Sequence, residues 1–190
     1  VGSGAEQRWP ELGRVRQTAR QRLRDLIAGE RRRARLHIEL VRQLEPGASP
    51  DRVAHLVLSR WVAAAAVEGG LTGALGFLGV PLNFLLFAYG QVAVIVSIAE
   101  AYEIGLDGES GEDAVLDVLG RAHGLEGVVR ESPRVLGAIA RTLALRHGLS
   151  TMGRLIPMVA APIGAKLNQR EMIRTGHEAL RRFGNVIMIE

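Results

Sequence analysis

From Gly69 to Ala99 the chain carries no charged residue, and the first part of that run places glycine at 69, 70, 73, 76 and 79 before Pro81. This stretch constrains the fold more than any other. A helix spanning a membrane needs about 20 apolar residues, and the run is longer than that, yet five glycines and a proline divide it. Each glycine costs roughly 1 kcal/mol against alanine inside a helix, so close packing of another backbone or insertion into lipid must offset the cost. Asn83 and Gln91 lie within the run, and Glu68 and Glu100 bound it. Two helices meeting at a glycine-rich bend fit these residues better than one spanning rod. Three settings for the hairpin follow: a buried pair in a soluble bundle, a bend that dips into a bilayer, or a membrane span.

The rest of the chain reads as helix. Hydrophobic residues make up 47% of the 190 positions but aromatic ones only 4%, so the apolar content is Leu, Ala, Val and Ile, and no strand signal competes with the helical spacing. The fold class expected is an all-α multi-helix bundle over 1–190, with the hairpin as its distinctive element. Ser49 and Pro50 form an N-cap and first position for a helix to about Glu68, with Trp61, Ala64 and Val67 facing inward. Residues 82–104 are apolar nearly all round, the pattern of a helix buried in protein or lipid. Ser110 with Asp113 resembles a capping box for a helix to Leu119. Ser132-Pro133 opens another to His147. Pro157 and Pro162 break or kink the start of a last amphipathic helix that reaches about Phe183.

Residues 8–45 form a basic amphipathic segment. Eleven arginines lie between Arg8 and Arg42 against six acids from Glu6 to Glu45. Leu12, Val15, Ala19, Leu23, Leu26, Ile27, Ala34, Ile38, Val41 and Leu44 recur at the helical period. Gly29 and the Arg31-Arg32-Arg33 run interrupt that stripe, so a kink near Gly29 and exposure of the three arginines are expected. A solvated surface helix is the plainest reading. Attraction to anionic headgroups is the functional one, and nucleic acid is disfavoured because stacking aromatics and a binding motif are missing.

No catalytic signature emerges. The residues three before His37, His55, His123, His147 and His177 are Ala34, Arg52, Gly120, Ala144 and Arg174, so the Glu-x-x-His of a di-iron bundle is absent. Phosphate-cradling and nucleophile-elbow motifs are absent as well. Glu68, Glu100, Glu103, Asn168 and His177 form the best remaining polar set, with capping or solvation as their ordinary role. No catalytic residue, metal ligand or cofactor is assigned. The chain has no cysteine, which suits a reducing compartment. Its start, Val1-Gly2-Ser3-Gly4, has no methionine and reads as a trimmed end, which leaves room for a targeting segment ahead of it.

The segment EGGLTGALGFLGVPLNFLLFAYGQVAVIVSIAEAYEIGLDGES, residues 68–110, resembles the signature of the EcsC family through Gly69, Gly70, Thr72, Gly73, Gly79, Pro81, Tyr102 and Asp107. A second block, IPMVAAPIGAKLNQREMIRTGHEALRRF, is similar through Pro157, Gly164 and Asn168. Asn83 departs from the pattern, where the family often has an aspartate. The resemblance implies a bacterial protein working near a membrane, linked to an ABC transporter, and names no reaction.

The expected function is that of a non-enzymatic, lipid- or membrane-interacting accessory protein, cytoplasmic and peripheral at the inner face of the membrane. Arg31, Arg32 and Arg33 would meet anionic headgroups while Leu75, Phe77, Leu78 and Val80 enter the acyl region. Gly69, Gly70, Thr72, Gly73, Gly79, Pro81, Gly164 and Asn168 would serve helix packing. A soluble carrier enclosing a fatty acyl chain is the alternative, and an enzyme with an unrecognised polar site is the third.

Overall fold

One helix, Gly79–Ala101, is the axis on which the others assemble. From Gln91 to Tyr102 every residue is buried, and so is Phe87, as a segment apolar on all sides demands. The computed structural model describes residues 8–74, 79–124 and 157–187. Five helices make up an all-α bundle among them: α1 Arg8–Leu44, α2 Pro50–Ala74, α3 Gly79–Ala101, α4 Gly108–Ala122 and α5 Pro157–Ile187. Among the described residues no helix is long and apolar enough to cross a membrane. The helix expected after Ser132 lies outside the described residues.

The hairpin is present, but its helices run further into the glycines than expected. α2 starts at the Ser49 cap, whose Oγ accepts from the Arg52 amide at 3.2 Å, and continues past Glu68 to Ala74. α3 starts at Gly79, which puts Pro81 in its first turn, where no amide hydrogen is needed. The two are antiparallel: Tyr102 donates to Asp51 at 2.5 Å near one end, and Trp61 faces Ser97 nearer the middle.

The reason the glycines stay helical is α5. A Cβ on Gly69 would sit 2.5 Å from the carbonyl oxygen of Gly164 and 3.0 Å from Cα of Ala165, so here two backbones touch. Further along, Gly176 of α5 leaves room for the Leu58 side chain, which makes α2 and α5 antiparallel as well. Gly164 and Asn168, one turn apart, are both buried in this contact region. Gly70 is different, because its nearest neighbour would be 3.9 Å away, an ordinary contact. The same packing carries α5 through Pro162, which sits inside a continuous helix rather than breaking it. That helix opens at Pro157 and extends beyond Phe183.

Three other expectations change. α1 is unbroken at Gly29, because Ile27, Glu30, Ala34 and Ile38 keep a buried stripe across it. Its last apolar position, Leu44, is 83% exposed. On α2, Ala64 and Val67 face outward while Trp61 is half-buried; Val53, Ala54, Val57, Leu58 and Ala65 make the inner face instead. α4 begins at Gly108, two residues before Ser110, and runs three residues beyond Leu119. Its N-cap residue Asp107 makes no side-chain cap bond, since its carboxylate pairs with Arg31.

Candidate functional site

α1 has two flanks. On the first, arginines meet acids presented by α3 and α4. Arg24 Nε lies 2.8 Å from Glu112, which is wholly buried, and Arg20 lies 3.8 Å from the same carboxylate. Arg31 pairs with Glu100 and Asp107. Arg35 Nε is 2.8 Å from Glu100, and Arg42 reaches Glu103 at 2.9 Å. Glu103 holds a left-handed backbone, φ 61°, at the residue after the α3 C-cap. Its amide donates to the Glu100 carbonyl and the Ile104 amide to the Ala99 carbonyl, which is the Schellman arrangement usually given to glycine.

The second flank carries Arg33, His37, Leu40 and Leu44, spaced four, three and four residues apart, so they share one face. Arg60, Ala64, Val67 and Leu71 repeat that spacing on α2. The two faces touch where Arg60 Nη1 lies 2.7 Å from His37 Nε2. Between them is a half-open pocket of about 260 Å³, lined by Glu30, Arg33, Ala34, His37, Arg60, Trp61, Ala64, Tyr89 and Ser97. Inside it the Tyr89 hydroxyl donates to the buried Glu30 carboxylate, and Arg33 donates to both, reaching the Tyr89 oxygen at 2.7 Å. Burial and the Glu30 carboxylate together raise the Tyr89 pKa. Burial, with the charge of Arg60, lowers that of His37, which favours a neutral imidazole at neutral pH.

Exposed apolar side chains lie on the helices that form this pocket. Leu36, Leu40 and Leu44 stand exposed on α1. On α2, Val67 and Leu71 are 62% and 66% exposed, Ala63, Ala64 and Ala74 are exposed with them, and Leu86 is exposed on α3. The exposed face of α2 from Ala63 onward carries no charge. Ile163 and Leu167 are exposed beside Gly164 at the α2–α5 crossing. Exposed apolar side chains beside exposed arginines are candidates for an interaction face.

The arginine run divides. Arg32 and Arg33 are exposed as expected, but Arg31 is only 13% exposed and engaged with two acids. Leu75, Phe77 and Leu78 lie outside the described residues, as does the side chain of Val80. Of the polar set read from sequence, nothing converges: Glu100 and Glu103 belong to the first flank, Asn168 is buried in α5, His177 is exposed, and Glu68 stands beside Gly69. Desolvation raises the Glu68 carboxyl from 4.5 to about 7. What sequence reading missed is the pocket, whose residues come from three helices. Its one signal was the matching spacing on α1 and α2. A second missed cluster joins His123 Nε2 to Gln91 Oε1 at 2.9 Å, both buried, with Glu171 3.8 Å from the other ring nitrogen. Among the described residues no group of three His, Cys, Asp or Glu side chains is placed to hold a metal ion.

No family model, curated protein or solved structure matches the chain.

Proposed function

We propose that this chain is a non-enzymatic accessory protein that docks peripherally on an anionic membrane through the second flank of α1 and the outward face of α2. The observation that carries the reading is the pairing of exposed Leu40, Leu44, Val67 and Leu71 with the cations Arg33 and Arg60. Apolar side chains and arginines on one face suit the boundary between headgroups and acyl chains, where both terms add. The glycine-rich end supports the same reading, because Val67 and Leu71 lead along α2 toward the Leu75–Leu78 segment. The likeness of residues 68–110 to the EcsC signature agrees with a bacterial protein at the inner face of a membrane, beside an ABC transporter.

Flotation with vesicles tests this. Val67→Asp combined with Leu71→Asp abolishes binding to phosphatidylglycerol-containing vesicles, because a carboxylate entering the interface is costly. The thermal midpoint stays put, since both side chains already face water. Unchanged flotation of that double variant would refute the docking face.

A further inference from the structure

Five described arginines of α1 end on acids of α3, α4 and the turn between them, whereas Arg60 of α2 reaches no carboxylate among the described residues. Its polar contact is the imidazole of His37, a poor partner for a guanidinium. Arg33, 71% exposed, shares one terminal nitrogen between Glu30 and Tyr89. Glu30 itself is buried and answered by both of those neighbours, so the mouth of the pocket is cationic. Ala64 forms one wall, and Val67 and Leu71 follow on the same face of α2. Each is a helical turn further on, about 5 Å. The pocket therefore has a charged end and an apolar track leading away from it.

We propose that this pocket is a headgroup site for the phosphate of an anionic glycerophospholipid, held between the Arg33 and Arg60 guanidinium groups, with an acyl chain lying along Ala64, Val67 and Leu71. Guanidinium groups suit this task because their planar donors match phosphate oxygens in pairs. Trp61 and Tyr89 supply amphipathic walls of the kind found at the headgroup level of membranes. The volume, about 260 Å³, admits a small head and leaves the chains outside. A phosphate here also changes His37. The groups facing that imidazole are Glu30 and Arg33 from α1, Arg60 from α2 and Tyr89 from α3. An anion seated between the two arginines offsets the charge that disfavours its protonation, so His37 takes up a proton more readily when the site is filled.

This site rests on the docking face proposed above, and the test separates the two. The full chain is floated with phosphatidylcholine vesicles, with and without phosphatidylglycerol, at low and at high salt. Diffuse attraction fades as the Debye length shrinks to about 3 Å at 1 M salt, whereas a seated phosphate persists. The expected result is a preference for phosphatidylglycerol that survives high salt, falls about tenfold in Arg60→Gln, and is unchanged there in Arg32→Gln, whose side chain is exposed outside the pocket. Nuclear magnetic resonance of His37 then shows its pKa rising on addition of these vesicles in the wild type and not in Arg60→Gln. A preference that vanishes with salt and weakens equally in both variants would overturn the pocket and leave the docking face standing. Absence of wild-type binding to either vesicle would overturn both. If soluble glycerol 3-phosphate raises the His37 pKa as strongly as the vesicles do, the ligand is a free phosphate ester and the lipid assignment fails.

Discussion

Both flanks of α1 carry arginine, and they have opposite roles. Arg20, Arg24, Arg31, Arg35 and Arg42 close onto Glu112, Glu100, Asp107 and Glu103, so one flank joins the helix to the bundle. Arg33 and His37, with Leu40 and Leu44, turn the other flank outward toward Arg60 and the apolar face of α2. A count of arginines treats these as one basic patch. Their partners distinguish them, and those of the joining flank lie 60 or more residues away, on α3 and in the turn that follows it.

Removing an acid that faces the joining flank is expected to have the largest effect. Glu112→Ala opens a void at a wholly buried position and removes the partner of Arg24, while Arg20 keeps only Asp113 at 3.6 Å, which together costs about 3 kcal/mol. Urea denaturation is expected to show that loss, while Arg60→Ala, on α2 opposite the outward flank, changes stability by less than about 0.5 kcal/mol. Equal costs would mean that the two flanks do the same job.

Gly69→Ala comes next. Its methyl group would press on the Gly164 backbone, and overpacking of this kind costs about 1 to 3 kcal/mol. Gly70→Ala, with its nearest neighbour 3.9 Å away, gains helix propensity instead, and thermal melts separate the two.

A pH effect is smaller and concerns the hairpin end. Glu68 titrates at about 7 in the fold against an ordinary 4.5, so the folded state holds its proton more tightly than the unfolded chain. Stability is greatest below pH 4.5 as far as this group is concerned, falls as pH rises to about 7, and is level above it. In Glu68→Gln that decline is missing. A decline identical to wild type would place the titration elsewhere.

The smallest change sharpens the joining flank itself. Glu103→Gly relieves a left-handed backbone worth about 1 kcal/mol and loses an exposed pair with Arg42 worth a few tenths. A net gain of under about 1 kcal/mol is expected in denaturant titrations, and a net loss would show that the Arg42 contact matters more than the strain.

Much of the fold was legible because its signals are local. Ser49-Pro50 capped α2, the all-round apolar pattern of α3 announced burial, and the glycines announced a close approach. The limits of α2 were not legible, since glycine propensity argues for a stop at Glu68 and only the Gly164 backbone supplies the reason to continue. The capping residue of α4 was misplaced for a similar reason: Asp107 serves Arg31, a partner remote in sequence. The candidate site was the least legible part. Arg33 and its neighbours were visible as charge, but nothing local in the sequence joins Tyr89 and Ser97 of α3 to Arg60 and Trp61 of α2.

Contact of the proposed face with lipid is directly measurable, because the chain has no cysteine. Single cysteines carrying a nitroxide are introduced at Leu40, Leu44, Val67 and Leu71, and for comparison at Glu39 and His177, which are exposed away from that face. On adding phosphatidylglycerol-containing vesicles, oxygen accessibility is expected to rise and that of a water-soluble relaxant to fall at the first four positions, with Glu39 and His177 unchanged. No change at the four, or an equal change at all six, would contradict that contact.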